Sequence, residues 1–208
     1  LEEPENHLSH TRLNQLIKCI SEQYAEKQIL ISTHSSFVAN KLGLGKVMLL
    51  DNLRITKFSE LSEDTYNFFK KVAGYDTLRM ILCKKAILCE GDSDELVIQK
   101  AYMQLNDGRL PIEDGIEVIS VGVSFLRFLE IADCIQTKIA VVTDNDGDLA
   151  AINKKYENYI GANQKEYIKI CVDDVVDTGT LKIGKSDYNY NTLEPKLLKA
   201  NGLDKLNR

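Results

Sequence analysis

The chain has no tryptophan, and only 3 prolines and 3 histidines occur in its 208 residues. No stretch is rich enough in Pro, Gly or Ser to read as a disordered linker. No apolar run approaches the roughly 18 residues that a bilayer span needs, and no basic-then-apolar leader is present. Membrane insertion is therefore not expected, and the chain reads as soluble and cytoplasmic. The cysteines (Cys19, Cys83, Cys89, Cys134 and Cys171) are odd in number and lack C-x-x-C spacing. That speaks against a disulfide framework or a zinc site and for reduced thiols, three of them (Cys83, Cys89, Cys171) inside apolar runs. A basic excess is also missing: the net charge is −5, which argues against a simple nucleic-acid coat. It leaves a nuclease open, because divalent cations neutralise a carboxylate site locally and the grip on DNA can lie on another domain or subunit. What remains is 44% apolar content, enough for one good core or one core plus a partial second.

The chain opens abruptly on Leu1-Glu2-Glu3-Pro4-Glu5, which reads as a truncated or incomplete beginning. Apolar Leu13, Leu16, Ile17 and Ile20 at helical spacing predict a helix over 11–24. Residues 28–35 then predict a buried strand that presents His34 at its carboxyl end. Two further strands are expected at 46–50 and 53–58 around an Asp51-Asn52 turn. From 59 to 82 the pattern is helical, through Tyr66, Phe69, Val72, Ala73, Leu78, Met80 and Ile81, with Gly74 expected to break it in two.

The second half alternates short apolar runs with helical patterns. Strands are expected at 86–89, 116–121, 138–143 and 167–172, and helices follow the first three. One helix has its apolar side at Leu96, Val97, Tyr102, Met103 and Leu105, the next at Phe125, Leu126, Leu129 and Ile131, and the third runs to about Tyr159. This order implies a parallel sheet covered on both faces. The chemistry of such sheets gathers beyond the carboxyl ends of the strands, and two acidic clusters fall there: Glu90-Gly91-Asp92-Ser93-Asp94-Glu95, and Asp144-Asn145-Asp146-Gly147-Asp148.

If the chain stays extended beyond the third strand, Asp144 and Asp146 point to one side, roughly 6.5–7 Å apart. Glu90 leaves a neighbouring strand at the same end. Like charges ~4 Å apart cost about 4 kcal/mol at an effective dielectric of 20, so protonation or a shared cation must relieve such a cluster. Oxygen donors without His or Cys select Mg²⁺ or Mn²⁺. Such ions polarise a phosphoryl oxygen, stabilise a leaving oxygen and activate water. Asp92, with Glu95 three residues on, reads as a helix cap or a ligand, and Asp148 equally as a cap. A calcium loop is excluded, because the acidic run has Gly147, Leu149 and Lys155 at positions four, six and twelve where that motif needs other residues.

Glu-Gly-x-Ser-Asp (Glu90, Gly91, Ser93, Asp94) after one strand, followed by D-x-D (Asp144, Asp146) after a later one, resembles the Toprim domain of topoisomerases, primases and the OLD (overcoming lysogenisation defect) nucleases. The resemblance implies that Glu90 is an acid/base or metal-bridging group, that Asp144 and Asp146 are metal ligands, and that Asp94 serves a second metal. Thr192-Leu193-Glu194 resembles the late T-L-E element of the OLD family, which places Glu194 in the metal cluster and Thr192 as a helix cap. On the residues alone, Glu194 is equally a first-turn carboxylate favoured by the helix dipole. A family lysine beyond this element has no clear match, and Lys196, Lys199 and Lys205 read as solvated charges. The fragment is therefore expected to be weak or inactive as a nuclease.

At the front, Glu-Glu-Pro-Glu and Ser-Thr-His resemble the second half of an ABC-type ATPase head. Glu2 then matches the metal-side acid, where Asp is usual, Glu3 the catalytic acid and His34 the γ-phosphate-sensing histidine. No G-x-x-x-x-G-K-[ST] loop is present, so the fragment is not expected to hydrolyse ATP.

The fold expected is α/β: the C-terminal part of an ABC-type ATPase domain over 1–58, a helical connector over 59–84, and a Toprim nuclease domain with a helix-flanked parallel sheet over 85–208. This order resembles OLD nucleases, the group that includes the Gabija anti-phage endonucleases. The resemblance implies an endonuclease that nicks or cuts double-stranded DNA with two Mg²⁺ or Mn²⁺ ions and is gated by ATP in the intact protein. It also implies a homo-oligomer formed through both domains, a helicase partner and a role in antiviral defence. A non-catalytic Toprim scaffold that binds DNA or a partner protein, and a topoisomerase or primase, are the alternatives.

Overall fold

The computed structural model of the chain describes residues 1–24, 26–51, 54–58, 61–71 and 75–202. It divides into two compact units, Leu1–Cys83 with Arg127–Gln136, and Lys84–Leu126 with Thr137–Arg208.

In the first unit, Ser9 starts helix α1 (His10–Gln23) by accepting the Arg12 N–H. Leu13 and Ile17, one turn apart, bury with Val38 of α2 (Ser36–Leu42). The buried strand expected at 28–35 is not formed. Its partner is the short opening segment, which supports one parallel bridge, Glu2 to Ser32, and leaves Leu30 69% exposed. Apolar residues alone do not make a strand without a ladder to join. Strands β1 (Met48–Asp51) and β2 (Arg54–Lys57) pair antiparallel. Asn52 of the expected turn lies outside the described residues, as does Gly74 between α3 (Glu63–Lys71) and α4 (Tyr75–Leu82).

Glu130 accepts bonds from the Ser62 N–H, the Ser62 hydroxyl at 2.8 Å and the Thr65 hydroxyl, while Ser62 Oγ accepts the Thr65 N–H. The start of α3 is thus closed by a carboxylate distant in sequence. Glu130→Ala is expected to lower stability by about 2 kcal/mol, since it strips a buried hydroxyl and a cap of their acceptor. Urea denaturation measures it.

In the second unit, β3 (Lys85–Cys89), β4 (Ile116–Ser120), β5 (Lys138–Val142) and β6 (Ile168–Cys171) form one parallel sheet in the order β4-β3-β5-β6. Parallel neighbours require crossovers. Helices α5 (Asp92–Leu105), α6 (Phe125–Ile135) and α7 (Leu149–Lys155) lie in the three connections; α5 packs on β3 and β4, and most of α6 belongs to the first unit. Leu88, Cys89, Ile119 and Val141 are completely buried within it, which explains the near-continuous apolar runs.

Strand order reverses between β3 and β5. The chain leaves β3 toward β4 on one side and leaves β5 toward β6 on the other. Such a switch point opens a crevice at the carboxyl ends of the strands. Glu90 and Asp144 follow those two strands.

Three details differ from the sequence reading. Helix α7 ends at Lys155, and the Tyr156 N–H closes it onto the Ile152 carbonyl. Leu96 and Leu105 of α5, expected on its apolar side, are 68% and 83% exposed; the helix rests on the sheet through half-buried Val97, Ile98 and Tyr102 instead. Beyond β6, an unanticipated antiparallel hairpin, β7 (Thr180–Ile183) and β8 (Ser186–Asn189), stands apart from the main sheet and precedes α8 (Leu193–Asn201). None of the five cysteines is in a disulfide. Among the described residues no helix is long and apolar enough to cross a membrane.

Candidate functional site

Glu90 is exposed at the carboxyl end of β3, and Gly91 continues in extended conformation before α5 begins. Asp94, in the first turn of α5, reaches back and accepts the Gly91 N–H at 2.8 Å. The closing carboxylate of this helix start is therefore Asp94. Asp92 is not the cap but the first helical residue, because the helix begins one residue earlier than an Asp92–Glu95 box requires.

Asp144, half-buried two residues beyond β5, accepts the backbone N–H of Leu193 at 3.1 Å through Oδ2. Leu193 opens α8. Thr192 occupies the cap position, but its hydroxyl turns to the Asn189 carbonyl, so Asp144 satisfies the helix end in its place. The fold thereby brings the Thr192-Leu193-Glu194 element to the end of β5, with Glu194 in the first turn of α8. Burial is the largest influence on Asp144; the Leu193 bond opposes it, and the charges of Asp94, Asp146 and Glu90 add to it, pushing the carboxyl up to about 6. Cys89 behind the cluster is pushed up to about 12 by burial, then by Asp94, Glu95 and Asp92. It is a protonated core thiol, not a nucleophile.

The segment after β5 does not stay extended as the spacing suggested. Asp146 has φ 50° and Gly147 φ 85°, so the two aspartates are separated by a turn and not by a pleat. Between them Asn145, 1% exposed, points inward. Its Nδ2 donates to the carbonyls of Asp173 at 2.8 Å and Val175 at 3.0 Å, and its Oδ1 accepts the Gly147 N–H. Asp148 does cap α7, accepting the Ala151 N–H at 2.9 Å. A Cβ at Gly147 would stand 3.3 Å from Asn191 Nδ2 at a positive φ. Gly147→Ala is accordingly expected to cost about 1–2 kcal/mol, read as a lower melting temperature.

Asn145, Asn191 and Tyr156 escaped the sequence reading. Asn191 is buried and holds both backbone groups of Asp177. Tyr156 is wholly buried, its phenol pushed up to about 12 by burial, eased by the Thr143 hydroxyl and raised by Glu90. The signal available for Asn145 was a lone amide between two acids; Asn191 and Tyr156 carried none. Lys196 and Lys199 are not free solvated charges: they pair with Asp173 and Asp177, fastening α8 to the loop after β6. The bond to Lys196, then the Val175 N–H, holds Asp173 below the usual carboxylate range. Lys205 lies outside the described residues.

In the first unit, Glu3 Oε1 lies 3.5 Å from His34 Nε2, and Asn6 Nδ2 donates to the other Glu3 oxygen. Glu2 is exposed in the bridge to Ser32. Glu5, which the reading passed over although it is the third acid of Glu-Glu-Pro-Glu, accepts the Thr33 hydroxyl at 2.6 Å and the His34 N–H at 2.9 Å. Burial raises its carboxyl most, but bonds led by that from Thr33 together outweigh burial and lower it.

The second-unit donors Glu90, Asp94, Asp144, Asp146 and Glu194 are all carboxylates, a set suited to a hard divalent cation. As placed, no group of three or more His, Cys, Asp or Glu side chains among the described residues stands ready to hold a metal ion. Glu90, Asp94 and Asp146 act electrostatically on Asp144 without forming a closed coordination shell, and Glu194 lies in the first turn of the helix that Asp144 caps. A cation entering among them would lower the repulsion and hold Asp144 ionised.

No curated protein matches the chain. Residues 81–146, the stretch that holds Glu90, Asp94, Asp144 and Asp146 but neither the Glu3–His34 pair nor Glu194, match the family model of the overcoming lysogenization defect protein-like TOPRIM domain.

Proposed function

We propose that the second unit is a Mg²⁺- or Mn²⁺-dependent endonuclease that nicks or cuts duplex DNA. The observation that supports this reading most is the grouping of acidic side chains at the switch point between β3 and β5, where Asp144 is raised to about 6 with Glu90, Asp94 and Asp146 among the causes. Carboxylates that repel one another in such a crevice favour a bound cation, beside the helix-closing bonds that Asp94 and Asp144 make. Asp144 and Asp146 would hold the metal, Glu90 would bridge metal and reacting water or move its proton, and Asp94 and Glu194 would serve a second ion. When bound, the ions supply Lewis-acid stabilisation of the phosphoryl oxygens and of the leaving oxygen. The chain's own part is to aim these side chains: Asn145 fixes the turn that carries the aspartates, and the Asp144–Leu193 bond fixes α8 with Glu194.

For the first unit we propose that Glu2, Glu3 and His34 belong to an ATP-responsive head of a longer assembly, with the Glu3–His34 approach as support. Homo-oligomerisation, a helicase partner, cytoplasmic location and antiviral defence rest on the resemblance to OLD and Gabija-type systems alone.

Supercoiled plasmid incubated with full-length protein and Mn²⁺ tests the nuclease reading. Nicking is expected for wild type and its loss for Glu90→Ala. Nicking that persists in both Glu90→Ala and Asp144→Ala would remove the proposed site. Tight DNA binding without nicking by wild type would favour a non-catalytic scaffold.

A further inference from the structure

The hairpin of β7 and β8 contributes little to the core. Its described residues are exposed except for half-buried Leu181, and Tyr188 is 47% exposed. An isolated two-stranded ribbon is marginally stable in water, so one kept in place by outside contacts calls for a purpose. The contacts are specific. Asn189 Nδ2 donates to the carbonyl of Asp146 at 3.4 Å, Asn189 Oδ1 accepts the Asn191 N–H, and Asn191 holds both backbone groups of Asp177. The base of the ribbon is thus fixed to the second aspartate of the acidic turn.

The charges along the ribbon differ from those at its base. Lys196 and Lys199, in α8, are both occupied by aspartates. Lys182 stands opposite Asp187 in the register without closing an ion pair, and Lys185 lies in the turn. Neither lysine has an ionic partner among the described residues. A cluster of carboxylates meeting a polyanion needs cations beside it, and in a chain of net charge −5 they must be local.

We propose that this hairpin is a DNA-backbone contact element. Its two strands track the groove beside the acidic crevice, and Lys182 and Lys185 meet phosphates. A two-stranded ribbon has the width that a major groove admits. The proposal rests on the nuclease reading and extends it to how the substrate is held.

The test is the salt dependence of affinity for a labelled 20-base-pair duplex, measured on the full chain with Ca²⁺ replacing Mg²⁺ so that the duplex is bound and not cut. Each neutralised phosphate contributes about 0.9 to the slope of log affinity against log salt. The double variant Lys182→Gln/Lys185→Gln is expected to flatten the slope by about 1.8, and Lys182→Arg/Lys185→Arg to restore it. Wild-type binding with an unchanged slope in the glutamine variant would overturn the hairpin proposal and leave the nuclease reading standing. Wild type that neither binds nor nicks DNA would overturn both.

Discussion

Asp144→Asn is expected to abolish metal-dependent cleavage and, in the same protein, to raise the melting temperature measured without metal. The two effects have one cause. The Asp144 carboxyl is half-buried, faces Glu90, Asp94 and Asp146, and sits at about 6 against an ordinary 3.8. A carboxyl whose folded value is raised binds its proton more tightly in the native state. Its penalty is absent below the unfolded value, grows between pH 4 and 6, and is constant above that. Taken at face value the shift is worth ~3 kcal/mol; with half the group solvent-screened, about 1 kcal/mol is the reasonable expectation. Asparagine keeps an acceptor for the Leu193 N–H and removes the charge.

The variant should therefore melt about 2–4 °C higher near pH 8, with the gain vanishing toward pH 4. Divalent metal reverses the ranking. At a hundredfold excess over its dissociation constant, Mn²⁺ stabilises the state that binds it by about 2.7 kcal/mol, an increment wild type gains and the variant does not. The nicking rate should fall about a thousandfold, since a lost ligand forfeits several kcal/mol of transition-state stabilisation. A variant that melts lower than wild type without metal would show that the carboxylate is not under strain.

Asn145→Ala should give the largest loss of stability. The side chain joins three backbone groups: the carbonyls of Asp173 and Val175 and the N–H of Gly147. Leaving a buried polar group unpaired costs about 1–3 kcal/mol. With water entering part of the vacated space, a total of roughly 3–5 kcal/mol follows. Asn145→Asp should be at least as damaging, because it sets a charged acceptor against two carbonyls in a buried position. Both variants should lose nicking as well, since the turn that aims Asp144 and Asp146 is released. Chemical denaturation separates the possibilities: a loss below about 1 kcal/mol in Asn145→Ala would mean that the loop is held by other contacts.

The strand–helix alternation of the second half was legible because each sheet strand is buried and closely matches its apolar run. The acidic residues were legible because they stand where strands end. Asn145 was harder: chemistry places aspartates at a metal, but an asparagine between them is explained by the loop after β6, which periodicity does not locate. The hairpin's only sequence signal is a brief alternation, Leu181-Lys182-Ile183 ahead of Gly184, on one strand alone, since Ser186-Asp187-Tyr188-Asn189 carries no matching apolar pattern. At 28–35 the opposite error arose, an apolar run whose ladder partner is too short for a strand. The reach of Asp144 to Leu193 joins residues 49 apart in sequence, and only the fold could supply it.

The most direct measurement is anomalous diffraction from crystals of the chain grown or soaked with Mn²⁺. Manganese is expected between the carboxylates of Glu90, Asp144 and Asp146, with those side chains drawn together around it. Manganese bound elsewhere, or an empty crevice at saturating Mn²⁺, would contradict that expectation.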